Sequence, residues 1–180
     1  MQCRRFLSAV AALCLGGLLA ACATPAEPGK MMVAAPATPE IYPAPLVKAM
    51  CVRTVTGGEG TNPMWTSKVD NEAFKTALTG SMAAVNLVAP AGACPYPVDV
   101  NLLGLSQPIV GFDMEVISHA NYKVYDVGGR AVLLATVTAP FTAKMSDAFV
   151  GVIRLKLANE GSIRTSISLF LEKLRGLKLP

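Results

Sequence analysis

Gly111-Phe112-Asp113-Met114-Glu115-Val116-Ile117-Ser118-His119-Ala120-Asn121-Tyr122-Lys123-Val124-Tyr125 alternates apolar and polar side chains along most of its length. Phe112, Met114, Val116, Tyr122 and Val124 share one parity, and Asp113, Glu115, His119, Asn121 and Lys123 share the other. A period of two marks a strand with one buried and one wet face. Asp126-Val127-Gly128-Gly129 follows as a hairpin turn. Arg130 to Ala143 is then an apolar strand carrying Val132, Leu133, Leu134, Val137 and Phe141. Upstream, Tyr96 to Leu105 sets Val98, Val100 and Leu102 against Asp99 and Asn101, and Gln107-Pro108 closes it. Residues 96–143 therefore read as an antiparallel three-strand meander.

The flanks supply one strand and two helices. Leu46 to Val55 reads as a strand, and the glycines of Thr56–Pro63 break it. No Gly-Lys-Ser/Thr follows those glycines, so the loop is not a phosphate cradle. Trp65, the only tryptophan, sits at its end. It is either a lid on the core edge or a partner-contacting aromatic.

Asp70 to Val88 reads as a helix, with Asp70 capping the first turn and Glu72 at the positive end of the dipole. Phe74, Ala77, Leu78, Ser81, Met82 and Val85 form its apolar stripe. Phe149 to Leu174 carries a second stripe: Phe149, Ile153, Leu157, Ile163, Ile167, Phe170, Leu171 and Leu174. Gly161-Ser162 is expected to weaken or bend it. Lys156/Glu160 and Glu160/Arg164 read as exposed i,i+4 pairs. The fold class is α+β, in the order β-α-β-β-β-α, an antiparallel meander with two helices packed on one face of the sheet.

The N-terminus sets the address. Arg4 and Arg5 precede an apolar run from Phe6 to Ala20, too short to stay in a bilayer as a spanning helix. Leu19-Ala20-Ala21-Cys22 closes it and resembles the bacterial lipobox. That resemblance implies cleavage before Cys22 and lipid on its sulfur. By resemblance to lipoprotein sorting in enteric bacteria, Ala23 in place of Asp implies the outer membrane. The expected division is a signal peptide over 1–21, an Ala/Pro-rich extended tether over 22–45 and one periplasmic domain over 46–180. Its length suffices for a single core.

Composition narrows the chemistry. The chain has 16 basic and 12 acidic side chains, and losing Arg4 and Arg5 with the signal leaves 14 against 12. There is no basic run and few aromatics, so nucleic acid is not an expected partner. Cys3 and Cys14 leave with the signal, which leaves Cys51 and Cys94 in an oxidising compartment. They read as a disulfide or as two buried thiols. His119 is the only histidine, too little for a zinc site, and no metal or cofactor is expected. Asp113 and Glu115 share a strand face at about 6–7 Å spacing. An open face offers no cleft to raise either pKa, so they read as solvated acids. With no serine elbow and no HExxH, the chain reads as a non-enzyme.

Asn71-Glu72-Ala73-Phe74, Ala77-Leu78, Gln107-Pro108, Arg154 and Phe170-Leu171-Glu172-Lys173-Leu174 follow in an order that resembles a group of small proteobacterial lipoproteins. The element order also looks like the periplasmic domain of curli-secretion lipoproteins, penicillin-binding-protein activator lipoproteins and the Tol-system N-terminal domain. The resemblance implies an envelope interaction or assembly module, with other envelope proteins as partners. Asp113, Glu115, His119, Lys123 and Trp65 are the candidate partner face. The alternatives are a carrier of a lipid or small apolar ligand, with a pocket between the long helix and the sheet, and an enzyme of unrecognised type.

Overall fold

The computed structural model describes residues 23–62 and 66–179. The signal segment, Cys22 and Trp65 lie outside the described residues. The elements are a short helix α1 (Pro28–Met31), strand β1 (Met50–Thr56), helix α2 (Asn71–Ala84), strands β2 (Tyr96–Ser106), β3 (Met114–Tyr125) and β4 (Ala131–Ala143), and a long helix α3 (Gly151–Arg175).

The strands form one sheet in the order β1-β2-β3-β4. β2 pairs antiparallel with β3, and β3 with β4, the latter from Met114↔Ala143 to Tyr125↔Ala131. The meander is thus present over the expected residues. β1 corrects the rest of the expectation. It runs parallel to β2, with Met50↔Tyr96 and Val52↔Val98 in register, so the sheet is mixed. The cause is the connection: α2 lies between β1 and β2, and a crossover of that length lets the chain re-enter the sheet in its original direction. Pro140 sits inside β4 without breaking the ladder, because β4 is an edge strand and an edge has one row of N–H groups to spare.

Both helices cover the same face. Val98, Val100, Ala120, Tyr122, Val124 and Val137 point inward and join Phe74 and Leu78 of α2 and Ile163, Ile167 and Phe170 of α3 in one core. Tyr122 is its centre. Its ring stacks on Phe170 at 4.3 Å and meets the edge of Phe74 at 6.4 Å. The hydroxyl is 2.9 Å from Ser166 Oγ. Asp70 caps α2 as expected, accepting from the Ala73 N–H at 2.7 Å.

Four local expectations change. Residues 26–46 are not a free tether. They lie as a strap across α2 and α3, with Met31, Tyr42 and Leu46 buried. The Val33 N–H donates to Ser81 Oγ at 2.9 Å. Gly80 leaves room for Met32, whose thioether occupies the space a Cβ would need. Isolated apolar anchors in an irregular segment carry no period, so the stretch reads as linker.

Glu160 is not exposed. It is 2% accessible, accepts from the Glu27 N–H at 2.8 Å and lies beside Lys156, which itself pairs with Glu27 at 2.6 Å. Burial pushes its carboxyl above the usual range. Arg164 reaches the Lys30 carbonyl at 2.7 Å instead of Glu160.

The long helix also presents an unexpected face over its first turns. Arg154, Leu155, Ala158 and Asn159 turn inward there, whereas Phe149, just before the helix, and Ile153 face solvent. Gly161-Ser162 does not interrupt α3. Gly161 packs on the Phe141 ring, where any Cβ would collide, and Ser162 Oγ bridges the Ser118 N–H and the Ala139 carbonyl. The glycine thus brings α3 close to the sheet.

Candidate functional site

The outer face of the sheet is left uncovered by the helices. It is laid with paired polar side chains. Arg53 makes a two-pronged pair with Asp99 across β1 and β2 and lies 5.0 Å from the centroid of the Tyr125 ring. Thr54 also donates to Asp99, at 2.7 Å. Thr136 donates to Asn121 at 2.8 Å, and His119 Nδ1 is 3.2 Å from Thr138 Oγ1. A shallow polar trough runs between Thr54, Asp99, Asn121, Lys123 and Tyr125.

The candidate partner face is brought together only in part. Glu115, His119 and Lys123 share the outer parity of β3 with Asn121 between them. Asp113 precedes the strand and accepts from the Met145 N–H at 3.0 Å, so it is a loop cap. Trp65 and Cys22 lie outside the described residues. Cys51 and Cys94 are joined by a disulfide, with Cα atoms 5.4 Å apart. Among the described residues, no three His, Cys, Asp or Glu side chains converge on a point where a metal could sit. Alternation along β2 sets Asp99 opposite its apolar parity, but nothing in the sequence marks Arg53 as its partner. Their pairing depends on the parallel register of β1, and alternation within one strand does not reveal it.

Arg53 and hydrogen bonds from Thr54 hold the Asp99 carboxyl below the usual carboxylate range. A carboxyl with a lowered folded-state pKa stabilises above its unfolded pKa. That contribution fades as the pH falls toward the folded value. Asp99→Asn should therefore melt below the wild type near neutral pH, with the gap closing under acid. The gap should stay within about 1 kcal/mol, as for partly exposed pairs. Thermal melts from pH 7 to pH 2 test this, and a gap that persists at low pH would count against the ion pair as its source.

One end of the domain has a different character. The β2–β3 loop and the β4–α3 loop lie side by side there. Arg154, 5% exposed, holds them together: its Nη1 donates to the Ala148 and Phe149 carbonyls and its Nη2 to the Gly111 carbonyl at 3.2 Å. Beneath lies a small second core of Met114, Val116, Ala143, Leu155 and Ala158. Above it, Ile109, Val110, Phe112 and Phe149 are at least 80% exposed. Phe112 was expected inside, but it precedes the strand and faces solvent. Arg154→Met would strip charged donors from three carbonyls and should cost about 2–3 kcal/mol. A urea titration reads this directly, and a cost under about 0.5 kcal/mol would mean the loops are joined by other contacts.

A polar node ties the strap to this end. Ser67 Oγ donates to the Thr24 carbonyl at 2.9 Å. The Ser67 carbonyl accepts from Gln107 Nε2 at 3.1 Å and Asn159 Nδ2 at 2.8 Å.

No family model matches the chain, and no curated protein matches it. Solved structures do. Protein XCC0632 from Xanthomonas campestris, of the DUF330 family, is 12% identical, with 84% of this chain and 97% of that one covered at a TM-score of 0.50. A proposed lipoprotein from Caulobacter crescentus is 12% identical over 57% of this chain and 78% of its own, at 0.45. The hypothetical protein CT253 from Chlamydia trachomatis is 9% identical over 71% and 91%, at 0.43. The first of these likenesses supports a shared fold. At 12% identity it does not extend to function.

Proposed function

We propose that the chain is a lipid-anchored interaction or assembly module of the bacterial envelope, held by lipid on Cys22 at the periplasmic face of the outer membrane. The uncovered outer face of the sheet carries this reading. Helices cover only the inner face, and the outer one presents Glu115, His119 and Lys123 beside the Arg53–Asp99 and Asn121–Thr136 pairs. Such a surface suits a polar partner of matching charge pattern. The carrier alternative needs a pocket between the long helix and the sheet. Tyr122 and Phe170, both fully buried, fill the middle of that interface.

The test is a cross-linking pull-down from membranes with the wild type, Cys22→Ala and His119→Ala/Lys123→Glu. One specific partner should be recovered with the wild type and lost with both variants. The face variant should melt like the wild type. A face variant that keeps every partner would leave this surface to solvent alone.

A further inference from the structure

We infer that the apolar end of the domain is a bilayer-contacting surface: Ile109, Val110 and Phe112 of the β2–β3 loop, with Phe149, Val150 and Ile153 beside them, enter the membrane that receives the lipid of Cys22. The inference rests on that reading of Cys22 and adds the surface by which the folded domain meets the same bilayer.

Three observations lead here. The first is concentration. Seven of the twelve large apolar side chains that stand exposed among the described residues belong to this end, Met145 being the seventh. A soluble domain scatters such residues singly, and a cluster marks a surface that is covered in use.

The second is preorganisation. Arg154 and the Asp113–Met145 bond fix the two loops against each other. The acids within these loops are turned back onto the backbone: Asp113 accepts from the Met145 N–H and Asp147 from the Lys144 N–H at 2.8 Å. Lys144, the one cationic side chain of the two loops, is exposed and suits anionic headgroups.

The third is the position of the chain start. Thr24 is bonded to Ser67, which is bonded to Gln107, two residues before Ile109. Cys22 is two residues before Thr24, a reach of at most about 7 Å. A lipid on Cys22 is therefore delivered beside the exposed apolar side chains and not at the far end of the sheet. Val127 marks that far end, in the β3–β4 turn. β3 alone separates the two ends by roughly 35 Å. A bilayer fits better than a protein partner because interfacial insertion needs only protruding apolar side chains beside a lipid chain, to a depth of about 5–10 Å.

The experiment uses the mature protein, produced with its own signal and reconstituted into phosphatidylethanolamine/phosphatidylglycerol vesicles. Single cysteines replace Phe112, Phe149 or Val127, all at least 80% exposed, and each carries an NBD fluorophore. Lipids spin-labelled in the acyl chain should quench NBD at 112 and 149 by at least about half and leave 127 unchanged, as expected for shallow insertion of one end. Equal, weak quenching at all three sites would overturn the inference. Mass spectrometry of the same sample reports acylation of Cys22. If Cys22 carries no lipid, the anchor reading fails by itself, and vesicles are then added to the unacylated protein. Quenching at 112 would still sustain the bilayer surface, and its absence would overturn it. NBD shielded at 112 without vesicles, in a protein that sediments as an oligomer, would assign the patch to a second copy and overturn the inference too.

Discussion

Tyr122→Ala is expected to cost about 4 kcal/mol of folding stability, in the range for deleting a fully buried aromatic. The side chain is 0% exposed, stacks on Phe170, meets the edge of Phe74 and places its hydroxyl 2.9 Å from Ser166 Oγ. From β3 its ring contacts both helices, Phe74 of α2 and Phe170 of α3. Its loss removes a ring from the centre of the core and leaves a cavity that α2 and α3 cannot both close. At about 2–4 °C per kcal/mol for a chain of this size, the melting temperature should fall by roughly 8–16 °C. Tyr122→Phe separates the parts. It keeps the rings and removes one hydrogen bond, at about 1 kcal/mol. Chemical denaturation of the three forms decides the matter. A cost for alanine close to that for phenylalanine would mean that the ring stack is not the centre of the fold.

The second large effect is loss of the Cys51–Cys94 bridge. It closes a sequence separation of 43 residues. On the chain-entropy account such a closure stabilises by about 4 kcal/mol, through the unfolded state. The bridge also clamps the entry of β1 to the turn before β2, the one parallel pair in the sheet. Cys94 is exposed, so reductant can reach it. Cys51→Ala/Cys94→Ala and dithiothreitol treatment of the wild type should lower the melting temperature by a similar amount. Dithiothreitol should leave the double variant unchanged. A double variant as stable as the oxidised wild type would show that this loop is already ordered without the bond.

The two halves of the sheet were not equally legible. Alternation at Met114, Val116, Tyr122 and Val124 fixes β3, and the turn at 126–129 fixes β4 beside it, because hairpin pairing follows from neighbouring sequence. The pairing of β1 is long-range. Its direction depends on what α2 does between the strands, and Val52 and Val55 alone do not specify it.

The apolar end departs from its sequence pattern for another reason. Phe149 and Ile153 continue the spacing of a buried stripe, and periodicity assumes that apolar means inward. At this end that assumption fails: Arg154 is inside and Phe149 outside. Only the family resemblance points to Arg154, and nothing in its neighbours signals that three backbone carbonyls await it. The Glu115, His119 and Lys123 face was legible because strand parity alone places it. Asp113 was not, because the chain bends before the strand begins.

The packing of residues 26–46 against α2 and α3 limits how far the domain can stray. A free, flexible stretch of that size would act as a leash of roughly 25 Å root-mean-square reach, letting the domain roam and turn in all directions. Seated on Met31, Tyr42 and Leu46, the same residues contribute no reach at all. On the proposed anchor, the domain is a fixed fitting and not a tethered float. Any partner must come to the membrane surface to find it, and meets the outer sheet face at a set height and angle.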